Sequence, residues 1–351
     1  MAHKTADEIW MAKALAQAKK GRYTTRPNPC VGCVIVKDGV AVGAGFHQRA
    51  GEPHAEVLAL REAGGQAMRA TAYVTLEPCS HYGKTPPCCD ALIQANVAKV
   101  VVATTDPNPK VAGSGIQRLQ RAGIDVVVGV LENEAKQLNA GFLKAMATGL
   151  PYVRVKLGVS LDGKIAMANG QSKWITSQAS RHDVQKLRAM SGAIITGSGT
   201  IVADNPRLDV RENIDGVPFN AIPNPKIVVM DRQGRLNSLS ACFERDYTVF
   251  NYNQTLLWQQ SIETLLSTLV KQYQCYDVLV EAGATLSSAF LQSGLVDELI
   301  VYQAPCLLGA TARPMFLGQF TDLKERLKFV RVSTKVLGDD LKMVFRQEKH
   351  E

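Results

Sequence analysis

The sequence predicts an α/β protein built from two units that follow one another along the chain. At 351 residues, the chain is too long for one ordinary hydrophobic core. Strand-like runs rich in β-branched residues alternate with helix-like runs rich in Ala and Leu. Alternating strands and helices form sheets covered by helices, with ligands at the strand ends. The breaking run Gly149-Leu150-Pro151 places a boundary between residues 1–149 and residues 150–351.

The first unit is expected to be a three-layer α/β sandwich. A helix over residues 5–20 ends at Gly21, and a β-hairpin over residues 31–46 turns at Asp38-Gly39. The remaining strands are predicted over residues 71–76, 99–104 and 125–130. The remaining helices are predicted over residues 55–63, 88–96, 115–122 and 132–148. This order places His54 and Cys88 at the beginnings of two helices and Cys79 just after a strand.

The second unit shows the same alternation. Its strands are predicted over residues 152–160, 164–167, 193–196, 226–230, 247–251, 277–280, 298–303 and 341–346. Ser177 is expected to cap a helix that runs to about Met190, and further helices are predicted over residues 262–272 and from Gly283 through Leu291. The segments 197–200, 204–207 and 211–225 are predicted to be turns and loops.

Composition and cysteine usage narrow the class of protein. Hydrophobic residues make up 46% and charged residues 21% of the chain, values typical of a soluble globular protein. No apolar run approaches the ~20 residues of a membrane helix, and the N-terminus does not resemble a secretory signal. The eight cysteines include Cys88-Cys89 but form no regular disulfide framework, which predicts a reducing, cytoplasmic compartment. Cys30 and Cys33 fall in a predicted strand on opposite faces, so we interpret them as core residues.

A formal net charge of +8 favours an anionic partner. The basic residues are scattered, and no Lys/Arg block or aromatic-interleaved basic stripe indicates a nucleic-acid surface. A phosphorylated small molecule fits the charge as well as a nucleic acid does. Charge alone therefore does not decide between these partners.

One constellation in the first unit has the chemistry of a zinc site. Glu56 follows His54 by two residues, and the eight residues from Ser80 to Pro87 separate Cys79 from Cys88. One imidazole and two thiolates are good zinc ligands, and an open fourth position can hold a water whose pKa zinc lowers toward about 7. Glu56 can then carry protons without being a ligand. Zinc deaminases use this combination of three ligands and a nearby glutamate, although their general pattern has two residues between the cysteines.

The predicted elements give this site a physical basis. Ligands at helix N-termini lie in a positive dipole field, which favours thiolate over thiol. Cys89 competes with Cys88, but one helical step turns it ~100° away. The alternative is a structural zinc site, which requires four protein ligands, and His81 or Cys89 could supply the fourth.

Several longer runs in this chain resemble the bifunctional deaminase/reductases of riboflavin biosynthesis along essentially its full length. In the first unit these runs are PNPCVGCV (27–34), GEPHAE (51–56), TLEPCSH (75–81), GKTPPC (83–88) and DPNP (106–109). In the second unit they are KLG (156–158), SLDGK (160–164), WITS (174–177), ADNP (203–206) and VEAG (280–283). The spacing of Cys79 and Cys88, unusual among zinc deaminases, is typical of this family.

The resemblance implies a cytidine-deaminase-like first unit and a dihydrofolate-reductase-like second unit. It further implies two steps, in which 2,5-diamino-6-(5-phosphoribosylamino)pyrimidin-4(3H)-one loses its 2-amino group and NADPH then reduces the ribose to a ribityl chain. Zinc would bind His54, Cys79 and Cys88, with Glu56 as the proton carrier. In the first unit, the family's substrate contacts would be Asn28, His47, His81 and Lys84. For His47, a surface position at the hairpin edge is nearly as good an interpretation.

The second unit lacks the Gly-x-Gly-x-x-Gly pattern of a Rossmann site, so its cofactor site must be built differently. The run from Glu281 to Leu286 is a better candidate for binding a phosphate, because it joins a predicted strand to the N-terminus of a predicted helix. By the family's pattern, NADPH would contact Gly158, Trp174, Thr200, Asp204, Gly283, Ala284, Thr285, Leu286, Ser287, Ser288 and Ala289. The substrate would contact Ser172, Arg188, Leu208, Arg211 and Glu281. Trp174 fits the core of the unit equally well.

Asp204 is our candidate for organising proton delivery during the reduction, and Lys164 is the second candidate. The alternative to the whole interpretation is an RNA-editing adenosine deaminase with an RNA-binding appendage, which shares the zinc site and suits the charge. That alternative leaves the second α/β unit unexplained, and the sequence contains no recognisable RNA-binding module. The resemblance and the many apolar strands favour a homo-oligomer.

Overall fold

The computed structural model describes residues 4–82, 86–108, 112–231, 249–251 and 261–348. Contacts between residues divide the chain into two compact units, Met1–Gly149 and Leu150–Glu351, called here the first and the second unit. Lys84, an expected substrate contact, lies outside the described residues.

The first unit is a three-layer sandwich around one sheet. Its strands are β1 (Gly32–Lys37), β2 (Val40–Phe46), β3 (Thr71–Val74), β4 (Lys99–Val102) and β5 (Asp125–Val128), in the spatial order β2-β1-β3-β4-β5. Its helices are α1 (Ala6–Lys20), α2 (Ala55–Ala63), α3 (Cys88–Gln94), α4 (Ser114–Arg121), α5 (Glu132–Leu138) and α6 (Ala140–Thr148). One sheet face packs against α2, α3 and α4, and the opposite face packs against α1 and α5. The predicted layering is confirmed.

Close packing of α2 on β2 fixes the beginning of the helix that carries His54. A Cβ added at Gly43 would lie 2.2 Å from the carbonyl oxygen of Ala59, and one added at Gly45 would lie 2.5 Å from that of Ala55. Only glycine permits so short a distance between a strand and a helix backbone. The pair of glycines in β2 therefore sets the position of α2.

The predicted helix over residues 132–148 is wrong, because the chain breaks at Asn139 into α5 and α6. The buried amide of Asn139 accepts a hydrogen bond from the backbone N–H of Cys30 (2.7 Å) and donates one to the carbonyl of Cys30 (2.9 Å). These two bonds connect the junction of α5 and α6 to the backbone N–H and carbonyl of Cys30, which compensates for the interrupted helix.

The second unit contains an eight-stranded sheet with helices on both faces. Its strands are β6 (Tyr152–Val159), β7 (Lys164–Ala166), β8 (Ala193–Gly197), β9 (Lys226–Met230), β10 (Val249–Asn251), β11 (Asp277–Val280), β12 (Glu298–Gln303), β13 (Arg313–Pro314), β14 (Phe329–Leu337) and β15 (Asp340–Gln347). The main sheet has the order β10-β9-β8-β11-β6-β12-β15-β14, and β7 pairs separately with β13. Its helices are α7 (Gln178–Met190), α8 (Ser198–Asp204), α9 (Ile262–Tyr273) and α10 (Ala284–Gln292). Apolar side chains fill a core on each face of the main sheet.

Two sequence expectations in the second unit have opposite outcomes, and one strand was not predicted. The predicted Ser177 cap is confirmed, since its hydroxyl accepts a hydrogen bond from the N–H of Ser180 (3.3 Å). The turn expected over residues 197–200 is wrong, because α8 begins at Ser198 and continues to Asp204. Strand β14 was missed, because its seven inner residues are exposed and show no alternation of buried and exposed side chains. Within the described residues, no helix is long and apolar enough to span a bilayer.

Candidate active sites

The first unit brings His54, Cys79 and Cys88 together. Their ligand atoms all lie within 4.8 Å of one another, and they form the one potential metal-binding group found among the described residues. His54 is the N-cap of α2, and Cys88 is the first residue of α3. His54 Nδ1 lies 3.1 Å from Cys88 Sγ and 3.7 Å from Cys79 Sγ. One imidazole nitrogen and two sulfurs at this separation fit a tetrahedral zinc ion that keeps one position open.

Local hydrogen bonds favour a thiolate at Cys79. The Cys88 thiol and the His54 ring lower the pKa of Cys79 to about 4, although burial acts in the opposite direction. The backbone N–H of Cys88 also donates to Cys79 Sγ (3.3 Å), as expected where a sulfur faces a helix N-terminus. The pKa of Cys88 is raised, because its proton is held by Cys79 in the metal-free group. A zinc ion would replace this shared proton.

Glu56 lies beside the cluster without belonging to it. Its side chain is 3% exposed, and among the described residues its Oε2 has no hydrogen-bond partner. Burial raises the pKa of Glu56 to about 7. A buried carboxyl oxygen without a partner is uncommon and typical of a group that acts on a ligand. Its pKa suits a proton carrier at neutral pH.

Two expected substrate contacts meet at this site. Asn28 Nδ2 lies 3.0 Å from His47 Nε2, and the His47 ring packs edge-on against His54 with centroids 5.3 Å apart. His47 is 3% exposed, so the alternative of a surface histidine is wrong. Burial lowers its pKa, which favours the neutral ring. His81 is exposed and lies close enough to Asp106 for its charge to act on that carboxyl.

The remaining cysteines of this unit are buried structural groups. Cys89 Sγ donates hydrogen bonds to the carbonyls of Pro78 (3.3 Å) and Gly115 (3.5 Å) and lies in the core beside α2. Cys33 is fully buried in β1, where burial raises its pKa. Cys30 precedes β1 rather than belonging to it, and the strand expected from Val31 begins one residue later, at Gly32.

In the second unit, two helices begin side by side at the ends of two paired strands. β8 and β11 run parallel and are followed by α8 and α10. Thr200 Oγ1 would lie 4.0 Å from a Cβ added at Gly283, and Leu286 Cδ2 would lie 3.8 Å from one added at Gly197. The N-cap of α10 is Gly283, which offers no side chain to the first amides of the helix. The adjacent starts of α8 and α10, residues 197–200 and 283–286, are called here the helix-start cradle. This cradle suits the phosphate groups of a dinucleotide.

A buried ion cluster lies next to this cradle. Arg188 in α7 donates two hydrogen bonds to Glu281, with Nε at 2.7 Å from Oε1 and Nη2 at 2.9 Å from Oε2. Lys156 Nζ in β6 lies 3.8 Å from Glu281 Oε2. The positive charge of Arg188 lowers the pKa of Glu281 to about 2 against the opposing effect of burial. Lys156 was not among the predicted site residues, although β6 carries two cationic side chains, Arg154 and Lys156, in a central strand of the sheet.

Asp204 lies at the end of α8 within reach of Ser172. Ser172 Oγ donates to Asp204 Oδ1 (3.0 Å), and Lys173 Nζ donates to the Asp204 carbonyl (2.7 Å). Lys164 lies in β7, and the described residues show no contact between its ammonium group and Asp204. The charge of Asp204 acts on Lys156 instead.

The other expected contacts of the second unit have different surroundings. Trp174 is 67% exposed, so its core alternative is wrong, and the Arg181 guanidinium stacks 4.5 Å from its ring centroid. Gly158 faces Thr176, whose Cγ2 would lie 3.3 Å from an added Cβ. Leu208 is buried in the core. Arg211 pairs with the buried Asp209 (3.0 Å).

Two family models match the chain in agreement with these sites. The model described as the cytidine and deoxycytidylate deaminase zinc-binding region matches residues 4–104. The RibD C-terminal domain model matches residues 151–343. The zinc ligands and the helix-start cradle fall within these two matches respectively.

Full-length relatives agree with both matches. The riboflavin biosynthesis protein RibD of Escherichia coli K12 is 54% identical over 330 residues, covering 88% of this chain and 90% of that protein. RibD of Haemophilus influenzae is 44% identical over 97% of each chain.

Two solved structures superpose closely on this chain. Acinetobacter baumannii RibD superposes with a TM-score of 0.94 at 53% identity, covering 98% of this chain and 99% of that chain. A Thermotoga maritima diaminohydroxyphosphoribosylaminopyrimidine deaminase/5-amino-6-(5-phosphoribosylamino)uracil reductase gives a TM-score of 0.88 at 34% identity, covering 97% and 99%. The chain therefore belongs to the RibD family, the bifunctional deaminase/reductases of riboflavin biosynthesis that use Zn²⁺ and NADPH.

Proposed function

We propose that the two reactions are divided between the two units. Residues 1–149 hydrolyse the 2-amino group from the diaminopyrimidinone phosphate, and residues 150–351 reduce the ribose of the deaminated product. The observation that carries the first assignment is the convergence of His54, Cys79 and Cys88 beside the unpartnered oxygen of Glu56. The second assignment is supported by the paired starts of α8 and α10.

In the first unit, His54, Cys79 and Cys88 would hold the zinc, which when bound would supply a Lewis acid that activates a water for attack on the amidine carbon. Glu56 carries one proton of that water to the ring nitrogen and then carries the second proton to the departing amine, so that water and the amidine give a carbonyl and ammonia. Its pKa of about 7 allows both transfers near neutral pH.

Asn28 and His47 orient the pyrimidine beside the metal. Their mutual hydrogen bond fixes the direction of the Asn28 amide, and the edge contact between His47 and His54 keeps the pair next to the ligand set. His81 is proposed as a further contact, and Lys84 is proposed to reach the phosphate or ribose. Holding the base in one orientation lowers the entropic part of the barrier.

In the second unit, the nucleotide is proposed to lie over Gly283 and the first six residues of α10, 284–289, with Gly158, Trp174, Thr200 and Asp204 around it. When bound, NADPH supplies the hydride. Ser172, Leu208 and Arg211 position the substrate, with Arg211 suited to its phosphate. Arg188 and Glu281 face the substrate as a pair rather than as two separate contacts.

Asp204 is proposed to organise proton delivery to the reduced group. Its hydrogen bond from Ser172 fixes one carboxylate oxygen, and Lys173 holds its backbone carbonyl. Lys164 remains the second candidate, although the observed contacts favour Asp204. If Asp204→Asn reduces the deaminated substrate at the normal rate, Asp204 has no such role.

The division of labour is tested by supplying each intermediate separately. The purified protein is given the diaminopyrimidinone phosphate with and without NADPH, and ammonia and NADPH oxidation are followed. We expect ammonia in both cases and NADPH oxidation only after deamination. A zinc chelator should abolish ammonia release but leave NADPH oxidation intact when the deaminated intermediate is supplied. Loss of both reactions on chelation would contradict the division between units.

We propose further that the chain acts as a homo-oligomer in the cytoplasm. The edge strand β14 exposes Val330, Val332 and Val336, which favours coverage by another copy. The described cysteines are free thiols, as expected in a reducing compartment. Light scattering should give a multiple of the 38.1 kDa chain mass. Val336→Lys should lower that multiple, whereas Val40→Lys, an equally exposed valine of the first unit, should not.

A further inference from the structure

The turn that carries Cys79 is held by a buried carboxylate with no part in the reactions above. Glu77 follows β3 and is 4% exposed. Its two oxygens accept hydrogen bonds from four backbone N–H groups. Oε2 accepts from Asp106 (3.2 Å) and Gly113 (3.0 Å), and Oε1 accepts from Gly115 (3.0 Å) and Ile116 (3.4 Å). These four N–H donors, two on each oxygen, fix the position of the Glu77 side chain.

Three of these donors belong to the beginning of α4. The first amides of a helix have no partner within the helix, and a polar side chain at the N-cap usually satisfies one of them. The N-cap of α4 is Gly113, which has no side chain to offer. Glu77 therefore caps α4 from a position 36 to 39 residues earlier in the chain. Its negative charge also complements the positive end of the helix dipole.

The same helix start contacts the residues on either side of Cys79. Ser80 Oγ lies 2.7 Å from Ser114 Oγ, and Arg118 donates to the carbonyl of Ser80 (3.2 Å). A Cβ added at Gly115 would lie 2.1 Å from the carbonyl oxygen of Pro78, so α4 lies directly against the turn. The turn is thus fixed at Pro78 and Ser80, with Cys79 between them.

We propose that Glu77 is a positioning residue for the zinc site. It attaches α4 to the Pro78–Ser80 turn and so holds Cys79 Sγ at the distance from His54 and Cys88 that a metal requires. The proposal rests on the proposed role of Cys79 as a zinc ligand. Glu77 touches neither the metal nor the substrate, so its loss acts on the affinity for zinc rather than on the chemical step.

The test is Glu77→Gln, which keeps the size of the side chain but replaces one acceptor oxygen with a donor. Zinc affinity is measured by competition with a chromogenic chelator, and ammonia release is measured at limiting and at saturating zinc. We expect a loss of zinc affinity of about tenfold or more. Saturating zinc should restore the kcat of deamination, which it should not do for Glu56→Gln.

Hydrogen exchange of peptides from the first unit reports whether this unit remains folded in each variant. Glu62→Gln is the matched control, because Glu62 also accepts a backbone N–H, that of Ala44, but at an exposed site away from the turn (2.9 Å). It should bind zinc like the wild type. If Glu77→Gln disrupts folding, Glu77→Asp keeps the charge on a shorter side chain and should show a smaller loss of affinity.

The variant Cys79→Ser distinguishes a wrong assignment of the zinc ligands from a wrong role for Glu77. If Cys79→Ser retains wild-type zinc affinity, the ligand assignment itself is wrong. If Cys79→Ser loses zinc while folded Glu77→Gln and Glu77→Asp bind it with wild-type affinity, Glu77 does not position the site. A Glu77→Gln enzyme that stays inactive at saturating zinc would also overturn the proposal.

Discussion

Two buried glutamates, one in each unit, are held in opposite ways. Glu56 lies beside the zinc ligands with one oxygen unpartnered, and burial raises its pKa to about 7. Glu281 is similarly buried, but Arg188 donates a hydrogen bond to each of its oxygens and lowers its pKa to about 2. The same side chain is therefore able to exchange a proton at neutral pH in one unit and is permanently charged in the other. Hydrogen-bond partners decide this difference, because the degree of burial is similar.

The comparison is tested most strongly by removing the exchangeable proton. Glu56→Gln should lower the deamination rate by about 10²- to 10⁴-fold, because general acid–base catalysis typically contributes that much. Zinc content should be retained, and reduction of the supplied intermediate should continue at the wild-type rate. Metal analysis and the two separate assays measure these outcomes. Undiminished ammonia release would remove Glu56 from the mechanism.

Removing the permanent charge should instead destabilise the second unit. Glu281→Gln leaves the buried Arg188 without its anion, which typically costs about 3–5 kcal/mol. Hydrogen exchange of peptides from each unit should localise this loss to residues 150–351. Glu132→Gln breaks an exposed pair with Lys136 and should change stability by no more than about 1 kcal/mol. Equal effects of the two variants would show that the Arg188–Glu281 pair has no special importance.

The two glutamates should also give opposite pH dependences. The pKa of Glu281 is depressed from 4.5 to about 2, so the stability that its charge provides is present above about pH 4.5 and is lost as the pH falls toward 2. The gap between wild type and Glu281→Gln should therefore close on acidification. A stability series followed by hydrogen exchange or denaturant measures that gap.

For Glu56 the pH dependence of the stability has the opposite sign. Its folded-state pKa is raised from 4.5 to about 7, so it does not weaken the fold below pH 4.5 and increasingly weakens it as the pH rises through 7. In zinc-depleted protein, Glu56→Gln should gain stability over the wild type between about pH 4.5 and 7, and the gain should then level off. A constant difference across this range would mean that Glu56 is already charged in the folded state.

The smallest expected effect concerns the exposed ring of Trp174. Trp174→Ala should weaken NADPH binding by about three- to tenfold, the scale of one stacking contact, while leaving the second unit folded. Titration calorimetry measures the binding, and Phe219→Ala, another exposed aromatic residue of this unit, is the control. Unchanged NADPH affinity would exclude Trp174 from the cofactor site.

The zinc group could be predicted from sequence because its chemistry depends on residue types that have few other reasons to occur in that pattern. His54, Cys79 and Cys88 are identifiable by type and spacing, and secondary structure then places them at helix and strand ends. The layered α/β fold could be predicted for a similar reason, since periodicity is a local property.

The features that the sequence left out depend on pairing between distant residues. The contact of Asn139 with Cys30 spans 109 positions, and that of Glu77 with Ile116 spans 39. The ion pair of Lys156 can be recognised only in the folded protein, where β11 places Glu281 next to β6. A lysine, an asparagine and a glutamate are common in loops and surfaces, so nothing in their local sequence distinguishes these three.

The break at Asn139 limits where a minimal deaminase could be cut. A chain shortened before residue 139 would lose both hydrogen bonds between Asn139 and the backbone of Cys30, at about 0.5–1.5 kcal/mol for each bond. A chain ending after α6 keeps both bonds. The junction of α5 and α6 therefore tethers the backbone at Cys30, two residues after the proposed substrate contact Asn28, and an engineer who removed it as a mere connector would weaken the proposed base recognition while every proposed zinc ligand remained in place.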